Sequence, residues 1–76
     1  MTDAFETLKK SIKALAEEKK YATLRDILTT MNAADVASLF EDMTEETVPL
    51  LYRLLPKELA ADTFVEMEPD TQEMLI

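Results

Sequence analysis

The chain has 76 residues, 47% of them hydrophobic, and a formal net charge of −8, with no Cys, His or Gly. Those absences exclude disulfide frameworks and thiolate metal sites, remove the usual general base and transition-metal ligand, and rule out glycine-rich phosphate loops. No run approaches the roughly 18 apolar residues of a membrane-spanning helix, and the N-terminal MTDAFETLKK lacks an apolar signal core, so a soluble intracellular chain of one small domain is expected.

Thr2 or Asp3 can cap the first helix, with Glu6 near its positive end. Phe5, Leu8, Ile12 and Leu15 recur at helical spacing and predict a helix over 3–18, with Lys9, Lys10, Lys13 and Glu17 mostly off its stripe. The charged segment Glu17 to Lys20 leads out, and Tyr21 opens a second helix over 21–31. Asn32 can cap a third over 33–43, with Asp35 as its box partner. Thr44 can cap a fourth over 45–55. Pro49 lacks a donor there, so either the first turn is distorted or the helix proper starts near Thr47. Pro56 marks the turn before a fifth helix over 57–67. Pro69 suits the first position of a sixth, cut off at Ile76.

Four apolar positions spaced 1, 4, 5, 8 fall on Leu24, Ile27, Leu28 and Met31. The set recurs every 12 residues, on Val36, Leu39, Phe40 and Met43, on Val48, Leu51, Tyr52 and Leu55, and on Ala60, Thr63, Phe64 and Met67. A fifth set begins at Gln72, Leu75 and Ile76. Only Thr63 among the four complete sets is not apolar, where chance would make about half of them polar. These offsets place side chains on one helix face, and a fixed period of one short helix and a turn signals a stacked array. Helices of about ten residues, roughly 15 Å long, need neighbours to hold them in water. Connections of two or three residues predict that successive helices turn back on each other. The expected fold is all-α, a superhelical or solenoid stack of about five full helices and a truncated sixth, forming one helical domain over 1–76. Leu39, Phe40, Leu51, Tyr52, Leu55 and Phe64 are its expected core, and Met31, Met43 and Met67 read as core too. The chain stops in mid-stripe on Met74, Leu75 and Ile76, which suggests a fragment or an end packed on a partner.

Charge is segregated. Residues 1–25 hold six Lys or Arg against four acids, and residues 26–76 hold only Arg53 and Lys57 against twelve. A basic footprint for nucleic acid is missing, and the acidic part will attract cations or a basic partner. Glu58, Asp62 and Glu66 form one column at four-residue spacing. Such like charges cost an isolated helix a few tenths of a kcal/mol each, so helix stability does not explain them. Mg²⁺ takes oxygen ligands and keeps several waters, so one or two carboxylates can serve it; the plain alternative is a solvated face. Glu41, Asp42, Glu45 and Glu46 gather at the turn around Thr44, a second place for a cation, although the helix dipole already accounts for Glu45 and Glu46. Ser11 and Ser38 have no His to activate them, and the expectation is a non-enzyme.

The segment LLYRLLPKELAADTFVEMEPDTQEMLI, residues 50–76, resembles the N-terminal cytosolic domain of MgtE-type magnesium transporters. The likeness extends over about 22–76 and is carried best by LLPKELAAD in the 12-residue frame. It implies a superhelical α-domain that precedes paired CBS domains and a membrane channel domain and helps sense cytosolic Mg²⁺. It implies Asp62, the acid after Leu-Ala-Ala, as first choice for contact with Mg²⁺ shared with the following domain, with Glu58 and Glu66 beside it. Mg²⁺ binding by this chain alone would then be weak. The implied partners are the CBS and channel domains of a homodimeric full-length transporter, and the implied place is the cytoplasmic face of the cell membrane, without direct insertion. The helices are also similar to the flagellar motor switch protein FliG, which would make the chain a protein–protein scaffold without metal.

Overall fold

A computed structural model describes residues 4–76. They form six helices and, among the described residues, no strand: α1 (Ala4–Glu17), α2 (Tyr21–Leu28), α3 (Ala33–Phe40), α4 (Thr47–Tyr52), α5 (Lys57–Glu66) and α6 (Pro69–Glu73). The all-α expectation holds. The cap assigned to Thr2 or Asp3 lies outside the described residues.

The 12-residue frame is written into the backbone hydrogen bonds. Leu24, Val36, Val48, Ala60 and Gln72, the first stripe position of each set, donate to the carbonyls of Lys20, Asn32, Thr44, Pro56 and Glu68. Each set therefore opens on the same bond, and α2, α3, α5 and α6 start three residues before it while α4 starts one before it. The fourth stripe positions, Met31, Met43, Leu55 and Met67, donate to the carbonyls of Leu28, Phe40, Tyr52 and Phe64, three residues earlier. Such three-residue bonds tighten the end of a helix and satisfy carbonyls that would otherwise lack partners.

That turn corrects the expected helix ends. α2, α3 and α4 stop at Leu28, Phe40 and Tyr52, three residues short of the bounds read from the stripe, and α5 stops one residue short. The last apolar residue of each set lies beyond its helix, in the turn, and still faces inward. Met43, Leu55 and Met67 are buried and Met31 is half-buried. Side-chain periodicity continues through the turn, so the pattern alone overextends the helix.

Sequence chemistry sets the starts. The Asn32 side chain accepts from the Asp35 N–H at 2.8 Å, as the expected N-cap. Thr44 Oγ1 accepts from the Thr47 N–H at 3.2 Å and shares a 2.9 Å hydrogen bond with Thr47 Oγ1. α4 proper begins at Thr47, so Pro49 falls in its first turn, where a missing donor costs little. α1 ends with Lys19 at φ 59°, while the Lys19 and Lys20 N–H groups bond the Ala16 and Leu15 carbonyls. This left-handed exit usually takes glycine; the chain has none and uses a lysine.

Ile12, Leu24, Leu28, Val36, Leu39, Phe40, Val48 and Leu51 are fully buried in one cluster, which Leu55 joins. Four of the six expected core residues are thus buried. Tyr52 and Phe64 are only half-buried. Tyr52 keeps its ring at the rim because its O–H donates to the Ala60 carbonyl at 3.0 Å. The most extensive helix contacts join α3 to α5 and α1 to α2, and other pairs touch weakly or not at all. Successive helices were expected to fold back on each other, which from α2 onward is not the dominant contact. The connections from α2 to α6 run over four, six, four and two residues where two or three were expected, and helices of 6 to 10 residues do not lie extensively along the next one. α3 finds its partner two repeats on.

Candidate functional site

α5 carries the predicted column, and its inner contacts decide how that column is displayed. Pro56, with φ −59°, sets the entry, and its carbonyl accepts from the Ala60 N–H at 2.8 Å. Thr63 and Met67 are buried, and Leu59, Ala60 and Phe64 pack half-buried against the core. Tyr52 from α4 bonds the Ala60 carbonyl, and Gln72 Nε2 from α6 donates to the Phe64 carbonyl at 2.7 Å. Held from both sides, α5 turns Lys57, Glu58, Ala61, Asp62, Val65 and Glu66 outward. Val65 stands 77% exposed among the acids.

Glu58, Asp62 and Glu66 are therefore all exposed on one helix face. Among the described residues the ion pairs all involve Lys9, and none of the three acids takes part. No three acidic side chains of the described residues come close enough together to hold a metal ion. A cation on this face would meet at most two carboxylates and complete its shell from water or another surface.

The second acidic group is dispersed by a lysine that the sequence reading placed off the stripe. Lys9 is only 8% exposed. Its Nζ donates to Asp42 Oδ2, pairs with Glu6 Oε2 at 2.9 Å, and sits 5.5 Å from the centre of the Phe5 ring. The hydrogen bond that Lys9 donates to Asp42, then that to Glu6, holds the ammonium above the ordinary lysine value. The same bond, followed by the charges of Lys9 and Lys13, holds the Asp42 carboxyl below its ordinary value. Glu41, Glu45 and Glu46 remain exposed around the turn. The signal for Lys9 was present: it lies four residues after Phe5 and three before Ile12, on the inward face. An alkyl stem can line a core while its charged end reaches a partner.

Thr63, the polar exception in the stripe, is fully buried, and its Oγ1 has no hydrogen-bond partner. Beside the α3–α4 turn runs a groove between the C-terminal part of α1 and α4, with Ala16, Met43, Thr47 and Leu50 among its walls.

Short helices on a 12-residue frame, with one helix presenting unpaired carboxylates, define an all-α module whose chemistry is that of a cation-attracting surface. Residues 31–76, more than half of the chain, match the family model of the MgtE intracellular N domain, and the chain belongs to that family. It is an intracellular domain of Mg²⁺ transporters, a regulatory and not a catalytic part. The match bears out the resemblance to the transporter domain. It begins at Met31, so α1 and α2 precede it. No curated protein and no solved structure matches the chain. Among the described residues no helix is long and apolar enough to cross a membrane.

Proposed function

We propose that the domain senses Mg²⁺ through the outer face of α5, acting together with a carboxylate surface on a following CBS domain. The observation that carries this is the exposure of Glu58, Asp62 and Glu66 on one face without ion-pair partners. The surroundings are strongly acidic, since residues 26–76 hold twelve acids against two bases. Two such surfaces repel each other in low Mg²⁺. In high Mg²⁺ the ion and its waters bridge and screen them, and the surfaces pack. A ligand shifts such an equilibrium only by its differential affinity for the two states, and here only the packed state offers carboxylates from both sides. Asp62, midway along the column, is the principal contact, with Glu58 and Glu66 flanking it. The assembly is a homodimeric transporter in which this module lies at the cytoplasmic face, beside the CBS and channel domains. The packing of α3 on α5, two repeats apart, supports a superhelical winding of the array.

The test is made in the full-length transporter. Asp62→Asn should weaken Mg²⁺-dependent protection of the domain linker from protease, with smaller effects of Glu58→Gln and Glu66→Gln. If all three variants are protected like the wild type, the column is a solvated face and the reading is lost.

A further inference from the structure

We propose that α1 is a charge-held strap across the acidic turn between α3 and α4, fastened by Lys9 on Asp42 and loosened by salt. Four observations converge on it. α1 packs extensively only against α2. Its hold on the rest runs through Ile12 in the core, through Phe5, Leu8, Leu15 and Ala16 packed half-buried against it, and through Lys9, which makes the one ion pair between separate elements among the described residues. The charges on the two sides are opposite in sum: α1 carries Lys9, Lys10 and Lys13 against Glu6 and Glu17, and the turn carries Glu41, Asp42, Glu45 and Glu46. The family-matched segment starts after α2, so the strap lies before the matched residues.

The pair is built to hold and also to let go. The lysine stem is buried, which orients the ammonium, but the Asp42 side chain is 56% exposed, so dissolved ions reach the bond and screen it. Lys13 and Ala16 on α1 form one wall of the groove whose other wall includes Met43, Thr47 and Leu50. Release of α1 opens that groove and uncovers Met43, which is 6% exposed in the docked state. The strap involves no residue of α5, so it stands or falls separately from Mg²⁺ sensing there.

Amide hydrogen exchange on this chain tests the strap. NaCl is raised from about 0.01 M to about 1 M, which shortens the screening length from roughly 30 Å to 3 Å. Wild-type α1 should exchange several-fold faster at high salt while α3 and α5 keep their rates. Asp42→Asn, at an exposed position, should exchange fast in α1 at both salt concentrations, and Lys9→Met, which keeps an apolar stem, should likewise lose the salt dependence. As a second reading, sulfoxide formation at Met43 under hydrogen peroxide should rise with salt in the wild type while Met67 stays protected. Salt-independent exchange of α1, equal acceleration of α1 and α3, or wild-type behaviour of Asp42→Asn would each overturn the proposal.

Discussion

α3 and α5 occupy the same frame two repeats apart and pack on each other, yet they divide the work of the module. α3 buries Val36, Ala37, Leu39 and Phe40 and starts on a side-chain cap. α5 buries only Thr63, has no side-chain cap, and keeps three unpaired acids outside. The repeat fixes the inner face by spacing and leaves the outer face to chemistry. A helix that is lightly buried, and anchored mainly through its backbone carbonyls, is free to carry repulsive charge.

The largest effect should come from truncating the shared core on the α3 side. Phe40→Ala should cost about 3–5 kcal/mol and Leu51→Ala about 2–5 kcal/mol. Stability for small domains is only about 5–15 kcal/mol in all, so thermal melts should show either variant near the edge of folding. Phe64→Ala on α5 should cost clearly less than Phe40→Ala, because its ring is half-buried. Equal losses would erase the contrast between the helices.

The next effect has the opposite sign. Thr63→Val keeps the shape and removes a buried hydroxyl without a partner, so it should raise stability by about 1–3 kcal/mol in urea titrations. A loss would mean that the hydroxyl is satisfied in solution.

Caps sharpen the comparison further. Asn32→Ala removes a bonded cap from α3 and should cost about 1 kcal/mol. Glu58→Gln, at the uncapped start of α5, should change stability by only a few tenths of a kcal/mol.

The smallest effect concerns the end of α3. The folded-state value of Asp42 is depressed, so its contribution is present above the ordinary carboxyl value of 3.8 and is lost as pH falls through the lower folded value. The folded-state value of Lys9 is raised, so its share is complete below 10.5 and is lost as pH rises through the higher folded value. Asp42→Asn should remove the acid limb from the pH dependence of the melt and shrink the alkaline one, which Glu6 still supports.

Much of this was legible because the stripe, the caps and the prolines agree. Asn32, Pro56 and Pro69 marked helix starts that the structure shows, while α4 begins at Thr47 and not directly after Thr44, and the stripe gave the buried face. The helix ends were not legible, since Met31, Met43, Leu55 and Met67 keep the apolar period through a turn. Lys9 was missed because charge was taken to mean exposure, although its position was inward. The partner of α3 was missed because short linkers constrain neighbours in sequence and say little about which helix lies alongside. The α5 acids were visible as a column from their spacing. Their exposure and lack of ion pairs needed the fold, in which α3 packs on α5 and the Tyr52 and Gln72 bonds hold it.

The central claim is that the α5 face is half of a cation site, which works only when a second surface meets it. Thermal melts of this chain in MgCl₂ and in NaCl at matched ionic strength test it directly. The account predicts a small shift in MgCl₂ that NaCl reproduces for the most part, unchanged in Asp62→Asn. A saturable, Mg²⁺-specific rise in the midpoint that Asp62→Asn abolishes would put the whole ligand set on this chain and contradict the shared site.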